Sequence, residues 1–143
     1  MNIEEIIENF EFLDDWDDRY KYLIELGAQL EALPEEFRTR ENKVQGCVSQ
    51  VWVGSSKSDD TDPILSFSGA SDAHIVNGLI AITFAIFSGK TSSEILALDE
   101  KAIFNRINLS EHITPQRSNG LKSLVERIKR DAVTALSPTA AGA

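Results

Sequence analysis

The sequence predicts an α+β fold in which helices cover a small antiparallel sheet. Three observations carry this reading. Apolar residues up to Leu30 recur with helical spacing, those around Val51 to Phe67 alternate, and those after His74 return to helical runs. Helices first, then strands, then helices is the order of an α+β domain rather than of alternating βαβ units. The chain has 143 residues, which suits one domain. Residues 1–136 are expected to form that domain, with the small, polar residues 137–143 as a flexible tail.

Taken in order, residues 2–12 read as a short helix ending near Asp14. Trp16, Tyr20, Leu23, Ile24, Gly27 and Leu30 then mark one face of a second helix. Asp14 is its expected cap, Asp15, Asp17 and Asp18 suit its positive end, and Pro34 marks its stop. A polar connector, residues 38–45, leads into Gly46-Cys47. From Val48 the period changes to two. Val51 and Val53 flank Trp52 in one strand, residues 55–63 form a polar turn, and Ile64, Leu65 and Phe67 form a second strand. Residues 69–72 are the next turn.

Residues 75–87 are apolar nearly all round, which predicts a buried central helix lying across one face of the sheet. Ser71 or Asp72 is its expected cap, and Gly89 its end. Thr91-Ser92-Ser93-Glu94 is a capping box opening a short helix, and residues 99–107 form another. Leu121, Leu124, Val125, Ile128, Ala132, Ala135 and Leu136 make the apolar face of a last helix. Thr114-Pro115 offers it a cap and an N1 proline.

Composition removes whole classes of function. With 23 acidic and 14 basic residues the formal charge is −9, the wrong sign for a nucleic-acid backbone or an anionic membrane. Acidity suits solubility and steering toward a basic partner surface. The run 75–87 is too short to cross a bilayer, which takes about 20 residues. One cysteine cannot form an intrachain disulfide, which favours a reducing compartment. The N-terminus resembles neither a secretory signal nor a transit peptide, so a cytoplasmic location is expected.

Metal and phosphate chemistry find no pattern. One cysteine and two histidines, His74 and His112, make no zinc set and no single-chain iron–sulfur ligand set. Asp59-Asp60-Thr61-Asp62 resembles a calcium loop only in charge. Pro63 follows directly, the required glycine and terminal glutamate are missing, and the segment reads as a solvated turn. There is no Walker loop, dinucleotide fingerprint or nucleophile elbow. The many carboxylates belong to solvated helix faces.

Cys47 remains. A lone cysteine is ordinarily a small buried hydrophobe. Here Gly46 precedes it at a loop-to-strand junction, where glycine permits backbone conformations that other residues resist. A loop held against a sheet is a common place for a reactive group. Acyl transfer would need His74 or His112 as a base, and neither sits in a cysteine-hydrolase signature. Each reads more readily as a polar surface or cap histidine. Redox sensing by disulfide would need a cysteine from another chain. Sulfur relay needs only one cysteine here, because the second belongs to the donor, and the count fits relay best.

The segment Gly46-Cys47-Val48-Ser49-Gln50-Val51-Trp52 resembles the active-cysteine segment of the SufE family of cysteine desulfuration proteins. Ser71-Asp72-Ala73-His74-Ile75-Val76-Asn77-Gly78-Leu79 resembles that family's entry into the central helix, and residues 91–95 its following turn. Residues 109–121, with Thr114-Pro115 and Arg117-Ser118-Asn119-Gly120-Leu121, resemble its C-terminal signature. Order and spacing agree over about residues 5–135.

The resemblance implies a fold shared with the IscU-type (NifU) scaffold proteins. It also implies a role beside a pyridoxal-phosphate cysteine desulfurase of the SufS or CsdA type, the cofactor belonging to that enzyme and none to this chain. Cys47 would accept persulfide sulfur, stimulate the desulfurase by unloading it, and pass sulfur to an iron–sulfur scaffold protein. The chain would thus be a sulfur-transfer partner rather than an enzyme in its own right, acting as a monomer or homodimer. A shielded carrier thiol is expected to lie against apolar side chains such as Trp52 or Phe67, which would raise its pKa and slow its alkylation. Arg117 opposes the dipole at a helix N-terminus. With Gly120 permitting close approach, it is expected to contact the partner or support the cysteine loop. Asp72 is expected either to hold that loop or to cap the helix, and His74 is a weaker supporting candidate. The alternative reading is a noncatalytic regulatory module of a partner enzyme, with Cys47 only structural.

Overall fold

The structure, a computed structural model, describes residues 2–44, 50–108 and 113–136. Two helices lead the chain. α1 (Ile3–Phe12) is capped by Asn2, whose side chain accepts from the Glu5 amide, and α2 (Trp16–Ala28) by Asp15, which accepts from the Asp17 amide. The second cap falls one residue later than expected: Asp15, not Asp14, has the extended backbone from which a side-chain oxygen can turn back onto the first turn. α2 ends at Ala28, before Pro34, which instead opens a 3₁₀ turn (Glu35–Phe37).

β1 (Val51–Lys57) and β2 (Ile64–Ser71) pair antiparallel from Val51↔Ser71 to Lys57↔Leu65. β3 (Lys90–Thr91) adds to the other side of β2, giving the order β1-β2-β3 among the described residues. The strands run past their expected ends. Residues 54–57 and 69–71 join the ladder although Gly and Ser carry little strand signal, because the pairing itself satisfies their backbone. β3 is two residues long and leaves no alternation to detect.

α3 (His74–Phe87) is the centre of the molecule. Ile80, Ile82, Ile86 and Phe87 are fully buried, and Phe84 stacks on Phe67 of β2 at 5.9 Å between ring centres. On its other side α3 meets α2 almost backbone to backbone. A methyl group at Gly27 would lie 2.6 Å from the Gly78 amide nitrogen, and one at Gly78 would overlap the Leu23 carbonyl. Glycine at both positions permits this approach. Neither Ser71 nor Asp72 caps α3. The N-cap is Ala73, without a side-chain bond, and Asn77 reaches back to clasp the Ser71 amide (2.8 Å) and carbonyl (3.2 Å). α4 (Ser92–Ala97), α5 (Glu100–Ile107) and α6 (Pro115–Leu136) complete the fold. α6 buries Leu124, Val125, Ile128 and Ala132 and packs against α3 and α4.

The capping box forms as read: the Glu94 amide donates to Thr91 Oγ1 (3.2 Å) and the Thr91 amide to Glu94 Oε1 (2.9 Å). Asp62 accepts from the Ser93 amide at 3.0 Å, tying the β1–β2 turn to the start of α4. These backbone hydrogen bonds hold both carboxyls below their ordinary values, 3.8 for Asp62 and 4.5 for Glu94. A depressed folded-state pKa stabilises the fold above the ordinary value, and that contribution is lost as pH falls through the lower one. Asp62→Asn with Glu94→Gln is therefore expected to flatten the loss of thermal stability below about pH 4.5. Melting curves from pH 6 to 3 check this, and an unchanged acid slope would count against it.

Candidate functional site

The candidate site is built around the two ends of the segment that carries Cys47. Gly46 and Cys47 themselves, like His112 and residues 137–143, lie outside the described residues. On the N-terminal side, Lys43 bridges antiparallel to Trp52, and the Val44 amide donates to the Val51 carbonyl at 2.8 Å. One step further back, the Val53 amide donates to the Asn42 carbonyl at 2.8 Å. Residues 42–44 thus form a short arm against the outer edge of β1, and residues 45–50 join the two in sequence. On the C-terminal side, the Gln50 amide donates to Asp72 Oδ1 at 3.1 Å, and the Asp72 amide to the Gln50 carbonyl at 3.4 Å. Of the two expected roles for Asp72, the geometry selects the hydrogen bond to the cysteine-bearing connection, since the cap position belongs to Ala73.

His74 is exposed at the first residue of α3, two positions from Asp72. Arg117 comes from α6. Its amide donates to Thr114 Oγ1 (3.2 Å), and its guanidinium crosses to α2, where Nη1 donates to the Tyr20 hydroxyl at 3.0 Å. That bond explains a cation so close to a helix N-terminus: its charge is drawn off the axis toward another element. Arg117 lines a cavity of about 260 Å3 together with Gly120, Val51, Val76, Leu79 and Leu124. The cavity therefore reaches the first residue of β1, directly after Gln50. Asp72, His74 and Arg117 all belong to this end of the sheet.

The two aromatic residues expected to shelter the thiol do not share a surface. Val51, Val53 and Phe67 face α3, whereas Trp52 points to the opposite side, with the Arg38 guanidinium 5.0 Å from its ring centre. Phe67 pairs with Ser55, four residues along β1 from Val51, or roughly 13 Å at strand spacing. Phe67 therefore packs on Phe84, away from the cysteine connection. Alternation decides the face, and the register decides the distance. The register could not be read from the sequence.

Sequence reasoning passed over Arg127. From α6 it donates Nη1 to the Glu41 carbonyl (3.1 Å), and Nη2 to both Asn42 Oδ1 (2.8 Å) and the Val53 carbonyl (3.0 Å). Its Nε donates to both carboxylate oxygens of Asp131, at 3.0 and 3.1 Å. The i,i+4 spacing of Arg127 and Asp131 is visible in the sequence as a helix-surface pair. Its reach to the arm, 85 residues earlier, is not.

Among the described residues no group of His, Cys, Asp and Glu is arranged to hold a metal ion. In the acidic turn Asp60 accepts from Ser58 Oγ (2.7 Å) and Asp62 from the Ser93 amide, so both carboxylates serve turn hydrogen bonds. No described helix is long and apolar enough to cross a membrane.

A family profile described as "SufE: Fe-S metabolism associated domain" matches residues 4–132. The chain belongs to the SufE family. Two SufE relatives, both named as uncharacterized SufE-like proteins, come from Rhizobium meliloti and Rhizobium etli. The first is 56% identical over 132 residues, covering 92% of this chain and 94% of its own. The second is 57% identical over 132 residues, covering 92% and 89%. The solution structure of a hypothetical protein from Thermus thermophilus superposes with a TM-score of 0.75 at 18% identity, covering 94% of this chain and 95% of that one. At that identity it speaks for the fold alone, and the fold agrees with the expected α+β arrangement. SufE membership places the chain in iron–sulfur metabolism and indicates a sulfur-transfer role with a cysteine desulfurase.

Proposed function

We propose that this chain accepts a sulfur atom on Cys47 from the persulfide of a SufS- or CsdA-type cysteine desulfurase and relays it to an iron–sulfur scaffold protein. The observation that carries the reading is a SufE-family match spanning residues 4–132 of a chain whose sole cysteine lies inside the matched region. The fixed ends of residues 45–50 support it, since a carrier thiol must be presented to a large partner without being left open to small thiols. In the transfer step the Cys47 thiolate attacks the outer sulfur of the donor persulfide. The new S–S bond forms on Cys47, the donor S–S bond breaks, and the donor sulfur leaves with the electron pair as a thiolate. The chain acts as a sulfur carrier, and pyridoxal phosphate belongs to the desulfurase.

Asp72 anchors the C-terminal end of the connection at Gln50, and the cavity bordered by Val51 and Arg117 opens next to that end. Gly46 supplies backbone freedom beside the thiol, and exposed His74 is placed for partner contact. The cytoplasm suits a thiol of this kind.

The test is direct. Incubation with a cysteine desulfurase and cysteine, followed by intact-mass measurement before reduction, is expected to add one sulfur atom to the chain. Desulfurase stimulation without any adduct, under conditions that preserve persulfides, would instead favour a binding module in which Cys47 only packs.

A further inference from the structure

We infer that Arg127 is the positioning residue for the segment that carries Cys47. The Arg127 side chain is only 10% exposed, and that of its partner Asp131 is 15%. It is therefore not an ordinary surface ion pair, whose geometry solvent would blur. A guanidinium offers five N–H donors in a rigid planar fork, and here three different nitrogens are used. Asp131 fixes Nε and so sets the plane of the fork. The two remaining arms then point at the two sides of the cysteine connection: Glu41 and Asn42 on the incoming arm, and the Val53 carbonyl on the outgoing strand.

The consequence is mechanical. The arm and β1 are joined by only a short ladder, through Val44–Val51 and Asn42–Val53. Arg127 bonds to both members at the base of that ladder and ties them to α6, a helix of 22 residues seated on the core. Asn42 reinforces the incoming arm from behind, donating its side-chain Nδ2 to the Phe37 carbonyl at 3.1 Å. These bonds hold the incoming arm and the outgoing strand, the two described flanks of the Cys47 segment, in one fixed relation. Lysine, with a point charge in place of the fork, cannot make the same set.

The inference takes its purpose from the sulfur-acceptor reading but is tested independently of it. Arg127→Lys and Asn42→Ala, in the full chain, are compared with the parent by amide hydrogen exchange and by the rate at which iodoacetamide alkylates Cys47. Exchange at Val44 and Val53 is expected to rise about tenfold while Ile82 in the core stays unchanged. Cys47 alkylation is expected to accelerate about fivefold as the connection loosens, and sulfur uptake from a desulfurase to slow by a similar factor. Alkylation and exchange within about twofold of the parent in both variants would overturn the inference. So would a rise in exchange equal at Val44, Val53 and Ile82, which would make Arg127 a support of the whole fold. If Arg127→Lys does not fold, Asn42→Ala decides, because it removes one arm of the clamp and leaves Arg127 and Asp131 in place. If the parent chain takes up no sulfur, the functional reading fails while exchange and alkylation still decide the role of Arg127.

Discussion

Cys47→Ser is expected to abolish sulfur uptake and, with it, stimulation of the desulfurase. The loss should be complete rather than partial. Thiol exchange runs through an ionised attacker, and a serine hydroxyl has no accessible anion near neutral pH with which to attack a persulfide sulfur. No second cysteine exists in the chain to substitute. The variant should still fold and bind, since serine is nearly isosteric and neither described end of the segment depends on the thiol. Binding by a pull-down or calorimetry, mass analysis for the adduct, and desulfurase turnover at several concentrations separate the possibilities. Stimulation as strong as the parent's would sink the covalent relay.

Gly78→Ala is expected to give the largest loss of stability among single-methyl additions. The new carbon would overlap the Leu23 carbonyl oxygen and lie 2.8 Å from its carbonyl carbon. The obstacle is backbone, so no rotamer change relieves it, and α2 and α3 must part along the contact that buries Leu23 and Leu79. Overpacking of this kind costs about 1–3 kcal/mol, occasionally more. Alanine returns about 1 kcal/mol in helix propensity. With a rigid neighbour the cost should exceed the usual range, leaving a net loss of about 3 kcal/mol. For a chain of this size that is a fall in melting temperature of roughly 6–12 °C. Thermal and urea melts check it. A melting temperature within about 2 °C of the parent would show that the helices separate at little cost.

Much of this architecture was legible from residue 1 onward. Of the face expected for α2, Leu23 and Gly27 are buried, and Trp16, Tyr20 and Leu30 pack half-buried against the core. Ile24 is exposed, however, Leu26 is buried instead, and the helix ends before Leu30. The apolar run beginning at Ile75 is the buried α3, and the Thr91–Glu94 capping box forms with both its bonds. These are local signals, complete within a few turns. What escaped was set by partners distant in sequence. Gly69 joins a strand because Val53 pairs with it, and β3 exists because β2 offers an edge. For Asp72 the sequence left two roles open, a cap or a bond to the cysteine loop, and could not choose between them because its partner Gln50 lies 22 residues earlier. The site divides the same way. Cys47 could be singled out by count and setting, and Arg117 by its conflict with the helix dipole. Arg127 could not, because its significance lies in three acceptors from another part of the chain.

The arm at residues 42–44 also governs how another protein can approach. An open sheet margin offers bare amides and carbonyls that a foreign strand can extend. Beside the cysteine segment that offer is withdrawn. The Val51 carbonyl is taken by the Val44 amide, the Val53 amide by the Asn42 carbonyl, and the Val53 carbonyl by Arg127. A visiting chain therefore finds these three main-chain groups already bonded. Strand addition and self-stacking are restricted there, and side-chain shape and charge carry more of the recognition at the place where the thiol has to be approached.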